Sequence, residues 1–247
     1  MFFVQLYLCC FLFVSSLCYA KPSKAIKEAL DSSVQVIIPE QGIGSGVVLA
    51  NVKGGSIIAT NDHVCQVTRG MSRGILPPFD PSPNLTKPIN TFPASIVTVG
   101  GSVYSATVIK TSNVYDKLPS KVKRPDLCLL FAKVVLPPIS LAKESAEIGE
   151  ELFVVSGPSN IFPLITRGYV GGTYSDEVMT DIRSSTIPIN HGSSGGGVFN
   201  EQGELVGVAF SLILDEQTKG FVASFYVELE DVKTFLKSCK FDGKDCK

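Results

Sequence analysis

Apolar and polar positions along this chain fall into short runs separated by turn residues, rather than into long helical stripes. Residues 34–38 read as a strand. Residues 44–49 and 56–60 read as two strands joined by a Lys53-Gly54-Gly55 turn, a hairpin. Further strands are predicted at 94–99, 103–110, 127–135, 151–156, 165–171, 185–189, 197–199, 204–211 and 220–226. Helical periodicity occurs near the two ends. Ser23 can cap a short helix that places Ala25, Ile26, Ala29 and Leu30 on one face, and Leu229, Val232, Phe235 and Leu236 form a second apolar stripe. Residues 70–93 hold six prolines and read as a long surface loop. The stretch 111–125 reads as a second, solvated loop carrying Lys117, Lys121, Lys123 and Arg124. The pattern predicts an all-β chain with short N- and C-terminal helices, in two halves of similar size: 21–140 and 141–247.

Residues 1–20 carry no charged side chain, and an apolar run over 6–14 ends in the small-x-small triplet Cys18-Tyr19-Ala20. This reads as a secretory signal peptide cut after Ala20, which places the mature chain outside the cytoplasm, secreted or periplasmic. No other stretch approaches membrane-spanning length, so no stable membrane span is expected after cleavage. Asn84-Leu85-Thr86 is a glycosylation sequon in the proline-rich loop, of consequence only in a eukaryotic secretory pathway.

Four cysteines remain beyond the leader: Cys65, Cys128, Cys239 and Cys246. Cys239 and Cys246 bracket a short polar loop, and a disulfide is expected there. Cys65 and Cys128 sit in apolar surroundings. Two buried free thiols are the reading slightly preferred for them over a second bridge. No Cys-x-x-Cys or His-x-x-x-His spacing occurs, so neither a metal site nor a cofactor is expected.

Composition narrows the function. With 45% apolar residues a sizeable core can form, and 22 basic against 23 acidic residues give a net charge of −1, without the basic excess of a nucleic-acid binder. The chain has two histidines, His63 and His191, so any histidine chemistry uses one of them.

The segment Asn190-His191-Gly192-Ser193-Ser194-Gly195-Gly196-Gly197 is the most informative. A serine needs a base to become a nucleophile, and the oxyanion it generates needs fixed donors. A glycine-rich turn coils the backbone so that main-chain N–H groups aim at one point. Gly192 to Gly196 matches Gly-x-Ser-x-Gly, but an α/β-hydrolase needs its histidine after the serine, and both histidines precede Ser194. A bland Gly/Ser-rich turn is an even alternative until its partners are counted. His63 follows the buried strand at 57–60, and Asp126 stands at the mouth of the apolar run beginning at Leu127. The order His, Asp, Ser is that of the chymotrypsin-type triad.

Taken together these segments resemble trypsin-like serine proteases of the Deg/HtrA type. Gly44-Ser45-Gly46 with Thr60-Asn61-x-His63-Val64 matches that group's first barrel. Asp126-Leu127-x-Leu129-Leu130 and residues 145–150 match its middle. Gly157-Pro158, residues 166–170, and Ile189-Asn190-x-Gly192-Ser193-Ser194-Gly195-Gly196 with residues 203–208 match the second. The resemblance runs from about residue 42 to 238 and leaves the 70–93 loop unmatched. It implies two six-stranded antiparallel β-barrels and a serine endopeptidase acting on protein or peptide substrates.

The resemblance also assigns roles. Ser194 is the nucleophile, His63 the general base and acid, and Asp126 the group that orients the imidazole. The N–H groups of Gly192 and Ser194 form the oxyanion hole. Pro188 and Ile189 on one side, and Ala209, Phe210, Ser211 and Leu212 on the other, wall the substrate pocket. With no acid among them, that pocket suits small or medium aliphatic residues. Asp62 adjoins His63 but points away from it, and His191 reads as a solvated rim residue. Ser193 stands where relatives carry Asn or Asp, so it offers no charge to a newly cut N-terminus. Only 53 residues follow Ser194, too few for the C-terminal PDZ domain many relatives carry. A catalytically silent binding module on the same fold is the alternative, and an esterase using the same site is a third reading.

Overall fold

The computed structural model describes residues 21–39, 42–65, 93–112, 124–174 and 181–239. The expected signal peptide 1–20, nearly all of the proline-rich stretch 70–93 with Asn84, Lys117, Lys121 and Lys123, and Cys246 lie outside them.

Helix α1 (Lys24–Asp31) begins where its cap was expected: the Ser23 hydroxyl accepts the Ile26 N–H at 3.3 Å. Six strands follow: β1 (Ser33–Ile38), β2 (Gly42–Val52), β3 (Gly55–Thr60), β4 (Pro93–Thr98), β5 (Val103–Thr111) and β6 (Cys128–Ala132). A single helical turn, α2 (Asp62–Cys65), leaves the end of β3. The six strands close into an antiparallel barrel in the order β1-β2-β3-β6-β5-β4. Six more make the second barrel: β7 (Glu151–Ser156), β8 (Leu164–Tyr174), β9 (Ile182–Ser185), β10 (Gly197–Phe199), β11 (Leu205–Leu214) and β12 (Phe221–Glu228). Their order is β10-β11-β12-β9-β8-β7, again closed. Helix α3 (Leu229–Lys237) ends the fold and buries Leu229, Val232 and Phe235 of its expected stripe. Closure leaves neither sheet with a free edge.

The continuous apolar runs have a physical cause. On β7, Leu152 and Val154 fill the second barrel, while Phe153 and Val155 join the core between the barrels. On β3, Ile58 faces into the first barrel and Ile57 and Ala59 face the same shared core. Side chains alternate across a strand, so a strand buried on both faces must be apolar throughout. These strands carry the functional segments at their ends, and the shared core sets how those ends meet.

Two expectations need correction. The strand expected at 185–189 lies at 182–185. Pro188 has no N–H to give a ladder, and the chain turns off before it: Thr186 N–H goes to the Tyr169 carbonyl and Ile187 N–H to the Ser185 hydroxyl. Cys65 and Cys128 are not free thiols. They form a buried disulfide across 63 residues, because the ladder sets Thr60 opposite Cys128 and α2 folds Cys65 back over it. Cys239 is also disulfide-bonded; its expected partner Cys246 is outside the described residues.

Candidate active site

β3 delivers His63 and the start of β6 delivers Asp126, two strands that are neighbours in the ladder. The Asp126 carboxylate is buried, 1% exposed, and holds His63 twice. Its Oδ1 accepts the His63 backbone N–H at 3.0 Å, and its Oδ2 lies 2.6 Å from the ring Nδ1. A carboxylate accepts hydrogen bonds, so the ring proton sits on Nδ1 and Nε2 presents its lone pair. Asn61, fully buried, donates from Nδ2 to the Asp126 backbone carbonyl at 2.8 Å and fixes the carboxylate's own chain. Burial pulls the His63 pKa down. The Asp126 charge and hydrogen bond, helped by Asp62, outweigh it, and the net position is above the usual 6.5. Asp62 itself is buried and accepts from the Ser112 hydroxyl at 3.2 Å, so it acts on His63 through its charge alone.

The serine turn approaches from the second barrel. Residue 44 has no side chain where the two halves touch: a Cβ on Gly44 would lie 2.8 Å from Val64 Cγ1 and 3.1 Å from the Ser194 carbonyl oxygen. The turn itself depends on glycine. Gly192 has φ +94°, and a Cβ there would sit 2.5 Å from the Gly157 carbonyl oxygen; Gly195, at φ +88°, packs where any side chain would run into Ser45 and Thr60. Ser193 is wholly buried. Its hydroxyl accepts from the Asn190 N–H and from the Ser156 hydroxyl, both at 3.2 Å, and its own N–H returns to the Asn190 carbonyl at 2.8 Å. Among the described residues, the N–H groups of Gly192 and Ser194 donate to no acceptor.

The Ser194 hydroxyl donates to the Phe210 carbonyl at 3.3 Å, and no hydrogen bond joins it to His63. Phe210 is the extra residue of a bulge in β11, between Ala209 and Ser211, and its ring meets the His63 ring edge-on at 6.4 Å. Ala209 anchors the serine turn by both backbone groups, to Gly195 and Gly196, while its side chain joins the core of the second barrel, against which Ile189 also packs. Ser211 and Leu212 are half-buried beyond the bulge, and Pro188 is exposed. His191 is exposed as well.

Three buried residues near this site carried no such reading in the sequence. Ser185 and Ser224 share a hydroxyl–hydroxyl bond at 2.6 Å, and the ladder puts Ser224 opposite Leu212. Ser45 ties the two barrels together at the serine turn. Of the three, only Ser224, flanked by Ala223 and Phe225 in β12, stands out as a serine within an apolar run.

The family model for a trypsin-like peptidase domain matches residues 44–208. Curated relatives include a probable periplasmic serine endoprotease, DegP-like, from Pseudomonas putida strain F1. It is 28% identical over 139 residues, covering 54% of this chain and 29% of its own length. A protein of the same name from Ectopseudomonas mendocina strain ymp has the same identity and coverage. The match thus spans under a third of these relatives. Among solved structures, the serine endoprotease from Yersinia pestis superposes with a TM-score of 0.62 at 20% identity, covering 88% of this chain and 67% of that one. The HtrA-type protease AlgW with tripeptide gives a TM-score of 0.65 at 16% identity, with 87% and 62% covered. With both barrels closed, and residues 44–208 matched from the Gly44 contact to β11, the chain belongs to the trypsin-like peptidase family.

Proposed function

We propose that the chain is a secreted serine endopeptidase acting through His63, Asp126 and Ser194. The Ser194 hydroxyl leaves the Phe210 carbonyl by rotation about its side chain and donates to His63 Nε2. It then attacks the substrate carbonyl as His63 takes its proton. Asp126 keeps the imidazole in the tautomer that can accept that proton and stabilises the cation formed. The oxyanion receives the N–H groups of Gly192 and Ser194. His63 returns the proton to the leaving amine, and water repeats the sequence on the acyl-enzyme. The observation that carries this reading is the pairing of an Asp126-held His63 with a serine turn whose Gly192 and Ser194 N–H groups are unspent.

The substrates are proteins or peptides cut after small or medium aliphatic residues. The location is periplasmic or extracellular. Two observations support it: the DegP-like relatives are named periplasmic, and the Cys65–Cys128 disulfide belongs in an oxidising compartment.

The direct test is a fluorophosphonate probe on the purified chain, followed by peptide mapping. Labelling at Ser194 that disappears in His63→Ala supports the reading. A folded, unlabelled protein refutes it and leaves the silent binding module.

A further inference from the structure

We infer that Ser45, on the first barrel, is a positioning residue for the oxyanion hole of the second, an inference that rests on the reading of Ser194 as nucleophile. Four consecutive carbonyls along the serine turn are each held by a donor. Ser159 N–H holds that of His191 at 2.8 Å, the Ser45 hydroxyl that of Gly192 at 2.7 Å, Gly196 N–H that of Ser193 at 2.9 Å, and Ser45 N–H that of Ser194 at 2.7 Å. The N–H groups of Ser193 and Gly195 are spent on the Asn190 and Ala209 carbonyls. The four peptide units from 191 to 195 therefore have every polar group engaged except two, the N–H groups of Gly192 and Ser194. In a trans peptide the C=O and N–H point opposite ways, so fixing a carbonyl aims the amide on its far side. Pinning the carbonyls of His191 and Ser193 aims the two unspent N–H groups.

Ser45 supplies half of this clamp, and its hydroxyl has a specific duty. The peptide unit between Gly192 and Ser193 stands between the two unspent amides. Its carbonyl end has the Ser45 hydroxyl as partner and its N–H end has Asn190. The same hydroxyl accepts the Gly157 N–H at 2.9 Å, next to the turn that holds His191 through Ser159. A serine hydroxyl is one donor and an acceptor, and here both capacities are used. Ser45 is fully buried, with its carbonyl fixed by the Thr60 hydroxyl at 2.8 Å, so the strand beneath the clamp is itself anchored. Without the hydroxyl, the Gly192 carbonyl has no partner. The 192–193 unit is then held at its N–H end alone, by Asn190, and beside a glycine that tolerates many φ/ψ values it no longer fixes how the flanking Gly192 and Ser194 N–H groups stand relative to each other.

The test compares Ser45→Ala with the unmodified chain on a peptide carrying an aliphatic residue before the scissile bond. Removing an oxyanion donor outright costs about 100- to 1,000-fold in kcat, so loosening one should cost about 10- to 100-fold. The KM should stay within about threefold, and a peptide boronate, whose tetrahedral adduct occupies the oxyanion hole, should bind more weakly by the same factor as kcat falls. The acid limb of the pH profile should stay where it is, since the His63–Asp126 pair is untouched. Ser45→Thr, which keeps a hydroxyl, should recover most of the loss. A kcat within about twofold of the unmodified chain, or a loss accompanied by a moved acid limb and unchanged boronate affinity, overturns the inference. Ser194→Ala separates the two readings: if it stays active, the nucleophile assignment fails, and if it is silent while Ser45→Ala turns over normally, only the clamp fails. Amide exchange on the unmodified chain tests the clamp with no variant at all. Gly157 and Ser193 should exchange slowly, and Gly192 and Ser194 fast until the boronate slows them. Fast exchange at Gly157, or no slowing on adduct formation, overturns it.

Discussion

Cys65 and Cys128 are joined across the same 63-residue separation that His63 and Asp126 bridge, each cysteine two positions beyond its partner in that pair. The disulfide therefore staples α2, a helix of one turn with little stability of its own, onto the strand that carries Asp126. Closing a loop of that size restricts the unfolded chain by about 4 kcal/mol in the chain-entropy treatment. The double variant Cys65→Ala/Cys128→Ala should melt about 10 °C lower in a calorimetric scan. An unchanged melting temperature would show that the staple carries no stability.

The His63 pKa, raised by Asp126, ties activity and stability to pH in opposite senses. As the proposed base, His63 must be neutral, so kcat/KM should rise with pH through a limb above 6.5. A group whose folded pKa is raised adds stability that is complete below its unfolded value and is lost as pH climbs through the folded one. Hence His63 should stabilise the fold most below pH 6.5, where the proposed base is charged and cannot accept a proton. Asp126→Asn should lower kcat by about 10,000-fold and bring the acid limb down, since burial then meets only the weaker Asp62 charge. An acid limb that stays put in Asp126→Asn would detach the carboxylate from the titration.

Removing the proposed nucleophile or the proposed base should abolish nearly all activity. Ser194→Ala and His63→Ala should each lower kcat by about a million-fold, with the melting temperature little changed. Ser194 is partly exposed and its hydroxyl makes one hydrogen bond to a backbone carbonyl, so the fold loses little with it. Retained hydrolysis in Ser194→Ala would move the chemistry elsewhere.

Activity should not depend on a newly cut N-terminus. Ser193 is buried, uncharged and already bonded to Asn190 and Ser156, so the turn is braced from within. A chain starting at Lys21 and one with a few extra residues before it should have equal kcat/KM, read by intact mass and peptide hydrolysis together. Activity confined to the trimmed form would count against this.

Much of the fold was legible because strands buried on both faces are apolar through their middles, as Ile57–Ala59 of β3, Cys128–Ala132 of β6 and Leu152–Val155 of β7 are. The candidate triad was legible because its members stand next to such strands: His63 just after β3, and Asp126 two residues before β6. What stayed hidden depends on contacts between distant segments. Nothing in the composition around Cys65 and Cys128 separates two buried thiols from a bridge; the Thr60–Cys128 register does. Ser45 reads as one small residue among glycines until the second barrel places the Gly192 carbonyl against it.

The last prediction concerns the residue before the cut. Ile189 packs against the second-barrel core, and Leu212 is half-buried on β11 opposite Ser224. Ser224 spends its hydroxyl on Ser185, so this side of the proposed pocket offers small neutral groups and no carboxylate. A buried Lys or Arg side chain would lose its hydration with no counter-charge, and a buried Glu would meet no cation. A peptide library should therefore be cut after Val, Ala, Ile or Leu in preference to Lys, Arg or Glu. Among the aliphatics the ranking should be shallow, since one methylene is worth about 1–3 kcal/mol. Leu212→Gly should widen the pocket and raise kcat/KM for Phe relative to Val by at least about tenfold, one methylene's worth on the same scale. Preferred cleavage after charged residues, or no gain for Phe in Leu212→Gly, would show that these residues do not form the pocket.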